Sequence, residues 1–295
     1  MVPATTEGEA MRGLRSACAA VLAAGATVVG RRVLDQVITR GGLGGPDRWQ
    51  RTNHHGAQVT LAAGPATAAG AVGSVLLTAR NDHQAMRIPA AVAGMGAMAL
   101  GLLDDLCGSG QSRGLRGHLG SLSRGELTTG AVKIAGIGLA GLLAAAACPP
   151  TTTTRRAGRV NRLVGVLAGG AAIAGHANVV NLFDLRPGRA GKVVLAHLPL
   201  AWGRRGVPVA AAVGAAAAAL PDDLGERAML GDTGANTLGA LVGVSLVARE
   251  GTGARMVHLG TLVALTLASE RISFSDVIRR STPLRALDEL GRVPQ

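Results

Sequence analysis

Aromatic residues are almost missing from this sequence: 295 residues contain two tryptophans, two phenylalanines and no tyrosine. Hydrophobic residues still make up 48% of the chain and the mean hydropathy is positive, so the apolar bulk is Ala, Leu, Val and Gly. Small side chains bury little area per residue in a soluble core, whereas in lipid they let helices approach closely. The composition therefore favours a membrane helix bundle over the alternative, a soluble Ala/Gly-rich α/β protein.

Lysine and carboxylates are also scarce. Only Lys133 and Lys192 among the 30 basic residues are lysines, and 18 Asp and Glu residues leave a formal net charge of +12. A basic chain can bind nucleic acid. Here the arginines are scattered between apolar segments, without a sustained basic run or interleaved aromatics, so we expect no nucleic-acid partner. Positive flanks of membrane spans explain the arginines better.

The three cysteines, Cys18, Cys107 and Cys148, have neither metal-like spacing nor an evident pairing, so no disulfide framework is predicted. Residues 12–30 place basic residues ahead of a short apolar stretch, as a signal peptide does. Because similar stretches recur along the chain, we interpret this one as the first membrane span.

Nine apolar segments free of carboxylates predict an all-α fold, a polytopic transmembrane helix bundle of about nine spans. They cover residues 16–30, 59–79, 86–103, 127–147, 163–183, 190–202, 206–220, 235–248 and 256–269. Pro199 and Pro208 are expected to kink or end helices in the sixth and seventh segments. Residues 1–270 would form one domain, and 271–295 a short amphipathic cytosolic tail.

Nine crossings would place the connecting loops alternately on two sides of a membrane. One side receives residues 31–58, 104–126, 184–189, 221–234 and 270–295. It holds about sixteen arginines against a dozen on the other, a weak bias that favours it as the cytosolic side. The carboxylates separate more clearly, since this side receives Asp104, Asp105, Glu126, Asp184, Asp222, Asp223, Glu226 and Asp232.

Two adjacent carboxylates, Asp104 and Asp105, end the third apolar segment. Like charges at a membrane boundary repel one another, so the pair is tolerable mainly when a cation or hydrogen-bond donors neutralise it. A solvated helix end is the plain alternative.

A polar stripe of Asn178, Asn181 and Asp184 ends the fifth segment. The spacing of three places these side chains along one helical face. Two amides and a carboxylate suit a polar ligand, although they could equally bond neighbouring helices. His176, just before the stripe, is expected to be a packing or helix-contact residue.

The string Gly231-Asp232-Thr233-Gly234-Ala235-Asn236 opens the eighth segment. A carboxylate between glycines at a helix N-terminus can meet a metal while backbone N–H groups face phosphate oxygens. The plain alternative is a simple turn. Asp222 and Asp223, just upstream, are expected to be loop or cap residues.

Both lysines stand near these clusters. Lys133 lies inside the fourth segment, near its cytosolic end, and Lys192 follows the polar stripe. A lysine carries a compact charge on a flexible stem, which suits contact with a phosphate. An ionisable residue inside a span is a functional candidate by default, whereas Lys192 could simply snorkel to an interface.

The clusters, in this order, resemble the polyprenyl-phosphate N-acetylhexosamine-1-phosphate transferase superfamily, over residues 51–248. That superfamily includes phospho-N-acetylmuramoyl-pentapeptide transferase and the undecaprenyl-phosphate GlcNAc-1-phosphate transferases. Asp104-Asp105 is similar to its paired aspartates, and the chain carries its Asn-x-x-Asn-x-x-Asp and Gly-Asp-x-Gly elements. Lys133 lies where members carry a lysine, and residues 51–56, RTNHHG, resemble the first cytosolic loop.

The resemblance implies a multi-pass transferase of the inner (plasma) membrane that serves cell-envelope glycan synthesis. A polyprenyl phosphate would attack the β-phosphate of a UDP-amino sugar, giving polyprenyl-diphospho-sugar and UMP. Mg²⁺ would offset the charge of the phosphates. The partners implied are the two substrates and the membrane, with a homodimer as a further option.

The resemblance also assigns roles to residues. Asp105 and Asp232 would bind Mg²⁺, Asp104 would act on the lipid phosphate as a base or an orienting group, and Lys133 would contact a phosphate. Substrate binding would fall to Asn178, Asn181 and Asp184, which would hold the nucleotide or diphosphate, together with Asn53 and His54.

The chain departs from the family pattern at two places. Pro187 replaces a second carboxylate after Asp184, and no histidine follows His258, where many members carry a histidine-rich loop. Arg186, Arg189 or Arg271 could bind phosphate in their place.

Two hypotheses besides an active transferase stay open. One is a non-catalytic relative that binds a lipid-linked or nucleotide ligand or scaffolds envelope assembly. The other is a transporter with Lys133 and the carboxylates as an ion path. Clustering at one face, and not near the midplane, disfavours the transporter.

Overall fold

A computed structural model describes residues 4–78, 84–108, 128–155, 158–203 and 205–292, and most of these residues are helical. The helices are α1 Ala4–Thr39, α2 Pro46–Trp49, α3 Ala63–Thr78, α4 Gln84–Cys107, α5 Thr129–Ala147, α6 Thr152–Arg155, α7 Arg159–Phe183, α8 Arg189–Leu195, α9 Val207–Leu224, α10 Gly231–Arg249, α11 Thr252–Ser269, α12 Phe274–Arg280 and α13 Thr282–Glu289. The predicted helix bundle is confirmed. An antiparallel hairpin of β1 (Gln50–Thr52) and β2 (Gln58–Thr60) is an addition that the prediction lacked.

Within the described ranges, five helices are long and apolar enough to cross a membrane. They are Gly13–Thr39 in α1, Ala85–Cys107 in α4, Thr129–Ala147, Arg159–Phe183 and Val207–Leu224. The sixth predicted segment, 190–202, instead forms the seven-residue α8 and a 3₁₀ turn at Leu198–Ala201. Seven helical residues rise only about 10 Å, so neither piece crosses a bilayer alone. Nine spans therefore stay a prediction.

The helix ends group at two ends of the bundle. At one of them, called the site end here, α4, α7 and α9 finish while α5 and α10 begin. At the far end, Arg205 reaches the Pro150 carbonyl at 3.5 Å, and the Thr252 hydroxyl donates to the Asn161 carbonyl at 3.3 Å. Which of the two ends faces the cytosol stays a prediction.

Helix α10 is the centre of the bundle and is buried along nearly its whole length. It packs against α3, α4, α7 and α9. Its Gly239 lies directly against Ala177 of α7, where a side chain would not fit. Small residues thus let the helices pack closely without aromatic side chains between them, as the composition predicted.

Large apolar side chains cover the outside of the bundle. Val21 and Val257 are each 72% exposed, and Leu139 and Leu163 are 58% and 60% exposed. In water such a surface would be unfavourable over so many helices. Facing hydrocarbon it carries no such cost, which agrees with association with a membrane.

The tail predicted for residues 271–295 folds back onto the site end as α12 and α13. Phe274 stacks on Phe183, the last residue of α7, with ring centroids 5.6 Å apart. On the exposed side of α13, Leu284 and Leu287 stand beside the charged Arg285 and Glu289. The tail is thus docked on the bundle, and its placement in the cytosol stays a prediction.

Candidate functional site

Lys133 bridges two carboxylates at the site end. Its Nζ lies 2.6 Å from Oδ2 of Asp104 at the end of α4, and 2.9 Å from Oδ1 of Asp232 in the first turn of α10. All three side chains are at least three-quarters buried. Two carboxylates this close together in a poorly solvated place would repel one another. The ammonium group of Lys133 between them neutralises this repulsion. The structure thus brings these three predicted site residues together, while their roles stay a prediction.

Asp105 has a different partner from its neighbour Asp104. Its Oδ1 accepts the Asp232 N–H at 2.9 Å, and its Oδ2 accepts the N–H and the hydroxyl of Thr233 at 2.9 and 2.5 Å. Asp105 therefore caps the N-terminus of α10 from another helix, satisfying N–H groups that lack intrahelical partners. Arg51 donates to its backbone carbonyl. The role of Asp105 as a magnesium ligand stays a prediction.

Two glycines allow this cap to form. Gly231 has φ +61°, and a Cβ there would lie 2.9 Å from Oδ2 of Asp105. On α4, a Cβ on Gly101 would lie 2.5 Å from the Asp232 carbonyl oxygen. The close approach of α4 to α10 thus requires glycine at both positions.

The polar stripe of α7 divides between two partners. Asn181 donates to Oδ1 of Asp232 at 2.5 Å, so it belongs to the carboxylate cluster. Asn178 instead donates to the hydroxyl of Thr266 in α11 at 3.2 Å, a contact between helices. Asn236 belongs to the third predicted cluster but was given no role there. Its amide donates to the Asp232 carbonyl at 2.7 Å.

Asp184, the last member of the stripe, is buried directly after α7. Its carboxylate accepts the Gly231 N–H, while Oδ2 has no hydrogen-bond partner among the described residues. Burial, reinforced by the nearby carboxylate of Asp223, raises the pKa of Asp184 well above its ordinary value. Asp184 therefore holds a proton more readily than an ordinary aspartate does.

The first loop reaches the site end through Glu226, which the sequence analysis did not single out. Asn53 donates to Oε2 of Glu226 at 2.5 Å, and Nδ1 of His55 lies 2.8 Å from Oε1. Slight burial would raise the pKa of Glu226, but these two contacts lower it. Because Glu226 has φ +52° and pairs far along the chain, no local sequence signal indicates it.

His54 lies at the surface beside Arg186. The desolvation that it experiences, together with the Arg186 guanidinium, lowers the pKa of His54 to about 4, so its imidazole is neutral near pH 7. Two predicted substrate-binding residues thus differ: Asn53 holds a loop in place, whereas His54 faces outward next to a cation.

The candidate phosphate-binding arginines also separate. Both Nε and a terminal nitrogen of Arg189 donate to Asp288 of α13, at 2.6 and 2.8 Å, so Arg189 is committed to the tail. The side chain of Arg186 makes no hydrogen bond or ion pair within the described part of the chain. Arg271 is exposed at the end of α11.

A second titratable cluster lies outside this site. Nδ1 of His176 is 3.3 Å from Nε2 of His258, whose Nδ1 is 3.2 Å from Glu250. His197 meets His176 edge to face. His176 thus joins α7 to α11, which confirms the expected helix-contact role.

The donor set of the carboxylate cluster fits magnesium. In the part of the chain that the structure describes, no group of three or more His, Cys, Asp or Glu side chains is arranged to hold a metal. Mg²⁺ needs fewer protein ligands, because it keeps several waters and takes one or two carboxylates plus substrate phosphates. Asp104 and Asp232, with the amide oxygen of Asn181 nearby, offer oxygen donors of that kind.

Comparison with known proteins adds no relative: no protein-family model matches the chain, and no curated protein matches it.

Proposed function

We propose that this protein is a Mg²⁺-dependent transferase, which moves a sugar-1-phosphate from a UDP-amino sugar to a polyprenyl phosphate at the cytosolic face of the inner (plasma) membrane. One observation carries the proposal. Lys133 stands between Asp104 and Asp232 at the end of an apolar helix bundle, where carboxylate oxygens and a cation meet beside a helix N-terminus. Such a site suits phosphates that carry several negative charges.

The reaction would join two phosphates. An oxygen of the polyprenyl phosphate attacks the β-phosphorus of the donor, the bond from that phosphorus to the bridging oxygen breaks, and UMP leaves with the bridging oxygen. Bound Mg²⁺ would offset charge on the diphosphate and the leaving group. Positioning and electrostatic stabilisation do most of the work in phosphoryl transfer.

The residues of the chain supply the positioning. Asn181 and Asn236 hold Asp232 by its carboxylate and its carbonyl, so that this carboxylate keeps one direction. Asp105 fixes the first turn of α10 by accepting the N–H of Asp232. Lys133 can leave its two carboxylates for a phosphate oxygen, since its ammonium is a point charge on a flexible stem. Asp104, freed in the same step, would orient the attacking lipid phosphate or accept its proton.

The hydrophobic acceptor would arrive from the bilayer between helices. The carboxylate cluster lies at the end of α4 and the start of α5, two apolar helices whose outer faces carry exposed side chains such as Leu103 and Ile134. A lipid phosphate at the membrane surface would therefore meet the cluster without leaving its leaflet.

The test is incorporation of sugar into lipid by purified protein in detergent. The protein receives undecaprenyl phosphate, Mg²⁺ and a panel of radiolabelled UDP-amino sugars, and lipid extracts are counted. We expect label in the lipid for one sugar, loss of that label in EDTA, and loss in Asp104→Asn. Asp47→Asn, an exposed carboxylate outside the site, is the matched control. Undiminished labelling in EDTA would overturn the proposed mechanism.

A non-catalytic relative is the second candidate, favoured by the internal bonding of the site. Both oxygens of Asp105 are occupied by α10, and Pro187 is buried where the family pattern has a carboxylate. Binding of a UDP-sugar without any product would support this candidate over the transferase.

A further inference from the structure

Four cations crowd the part of the site end where the tail docks. Arg189 and Lys192 both reach α13: Arg189 binds the Asp288 carboxylate, and Nζ of Lys192 donates to the Asp288 carbonyl at 2.7 Å. Arg292, just beyond α13, donates from a terminal nitrogen to the same Asp288 carboxylate at 2.8 Å. Arg186 is the fourth cation.

These cations outnumber the carboxylates that face them. Asp288 lies among them, the buried Asp223 is close to Lys192 and Arg292, and Glu226 stands at the rim with its own partners in the first loop. An excess of positive charge at a partly buried place is a binding site for anions, because arginine forms paired hydrogen bonds with phosphate oxygens.

Docking of the tail also brings two guanidinium groups from distant parts of the chain together. Nε of Arg292 donates to the carbonyl of Pro187 at 3.0 Å, and Pro187 directly follows Arg186. Both guanidinium groups act on the imidazole of His54 in the first loop. Arg186 is half-buried and, among the described residues, its side chain makes no hydrogen bond or ion pair. It is therefore available to a ligand in a way that Arg189 is not.

We propose that Arg186 and Arg292 bind the diphosphate of the nucleotide donor, in a site that the C-terminal hairpin of α12 and α13 completes. Arg186 follows Asp184 by two residues, and the Asp184 carboxylate accepts the N–H of Gly231, next to Asp232. A diphosphate held by Arg186 would therefore border the cluster around Lys133. This inference rests on the proposed transferase function for the identity of the ligand. It assigns the tail a part in binding, and Asp288 becomes a positioning residue that holds Arg292 in place.

Binding of UDP alone tests the inference without turnover. Isothermal titration of the detergent-purified full chain with UDP should show affinity about tenfold or more weaker in Arg186→Ala, because one charge-assisted hydrogen bond to phosphate is lost. Arg285→Ala in α13, an exposed arginine, should bind UDP as the wild type does. Wild-type affinity in Arg186→Ala would overturn the inference.

Arg292 needs a second variant, since it also holds the Pro187 carbonyl. Arg292→Ala should weaken UDP binding, and Arg292→Lys should recover part of the affinity because the charge remains. Equal loss in both, with a tail that has become sensitive to protease, would mean that Arg292 acts on folding only and would overturn its role in binding.

A parallel titration with a short-chain polyprenyl phosphate separates the two sources of phosphate. Arg186→Ala should leave that affinity unchanged if the site takes the donor. Weaker binding of the lipid phosphate with normal UDP binding would overturn the assignment to the donor. If UDP binds through Arg186 while no sugar ever reaches lipid, the proposed function fails and the binding site stands.

Discussion

Thr233 gives two hydrogen bonds to one oxygen of Asp105: its N–H lies 2.9 Å and its hydroxyl 2.5 Å from Oδ2. The other oxygen accepts the Asp232 N–H at 2.9 Å. The carboxylate that ends α4 thus serves as the cap of α10, the helix that carries Asp232. The two aspartates of the pair consequently do different work, since Asp104 faces Lys133 and Asp105 fixes the helix behind it.

Removal of the cap should cost stability. Asp105→Ala leaves two backbone N–H groups and a hydroxyl without their acceptor, so we expect the free energy of unfolding to fall by about 2 kcal/mol. Thermal melting in detergent, followed by helical circular dichroism, measures the change. Asp47→Ala is the matched control, and an Asp105→Ala protein that melts with the wild type would contradict the cap.

Lys133 should lower the affinity of the site for a divalent metal ion, because its ammonium group already pairs with Asp104 and Asp232. Lys133→Met removes the charge that neutralises Asp104 and Asp232, so a divalent cation should bind more tightly while turnover falls about a hundredfold. Mn²⁺ titration followed by electron paramagnetic resonance measures the affinity. Lys133→Arg keeps the charge and should keep the metal affinity close to wild type. Weaker metal binding in Lys133→Met would mean that the lysine does not compete for these carboxylates.

The close approach of α4 and α10 makes another prediction. Gly101→Ala puts a Cβ 2.5 Å from the Asp232 carbonyl oxygen, so we expect a loss of about 1–3 kcal/mol in stability together with loss of activity. Gly138→Ala in α5, where a Cβ meets nothing within 4 Å, should be neutral or slightly stabilising. Equal melting temperatures for the two variants would refute the tight contact.

Docking of the C-terminal tail, α12 and α13, should depend on pH only under acidic conditions. Burial alone would raise the pKa of Asp288, but the hydrogen bond from Arg189 holds it below its ordinary value. A folded-state pKa below the unfolded one gives stabilisation that is complete above the unfolded value of about 3.9 and is lost as pH falls through the lower folded value. Hydrogen exchange of α13, corrected for intrinsic rates, should therefore be constant from neutral pH down to about pH 5. Release of the tail near pH 6 would disagree with this linkage.

Much of the site could be read from the sequence because its members interrupt apolar segments. A lone lysine in a span and carboxylates at span ends stand out against an apolar background, and Lys133, Asp104 and Asp232 do meet. The order of the apolar segments also predicted which loops lie at the same end of the bundle. Both predictions need only the hydropathy of the residues and their position along the chain.

The missing parts depend on partners far apart in sequence. The cap that Asp105 forms could not be predicted, because it requires the N-terminus of α10 to lie against α4. Glu226 likewise gains its role only from its contact with Asn53. The docking of Asp288 on Arg189 could not be predicted for the same reason. The helix break near Pro199 was predicted from the sequence, because proline has no backbone N–H to donate within a helix.

The most direct test of the central claim is UMP release by purified wild-type protein and by Asp232→Asn, with undecaprenyl phosphate, the accepted UDP-amino sugar and either Mg²⁺ or EDTA. The account predicts release that requires Mg²⁺ and falls at least about a hundredfold in Asp232→Asn, while Asp47→Asn stays active. Release that persists in EDTA, or that is unchanged in Asp232→Asn, would contradict a metal-dependent transferase built around Lys133 and its two carboxylates.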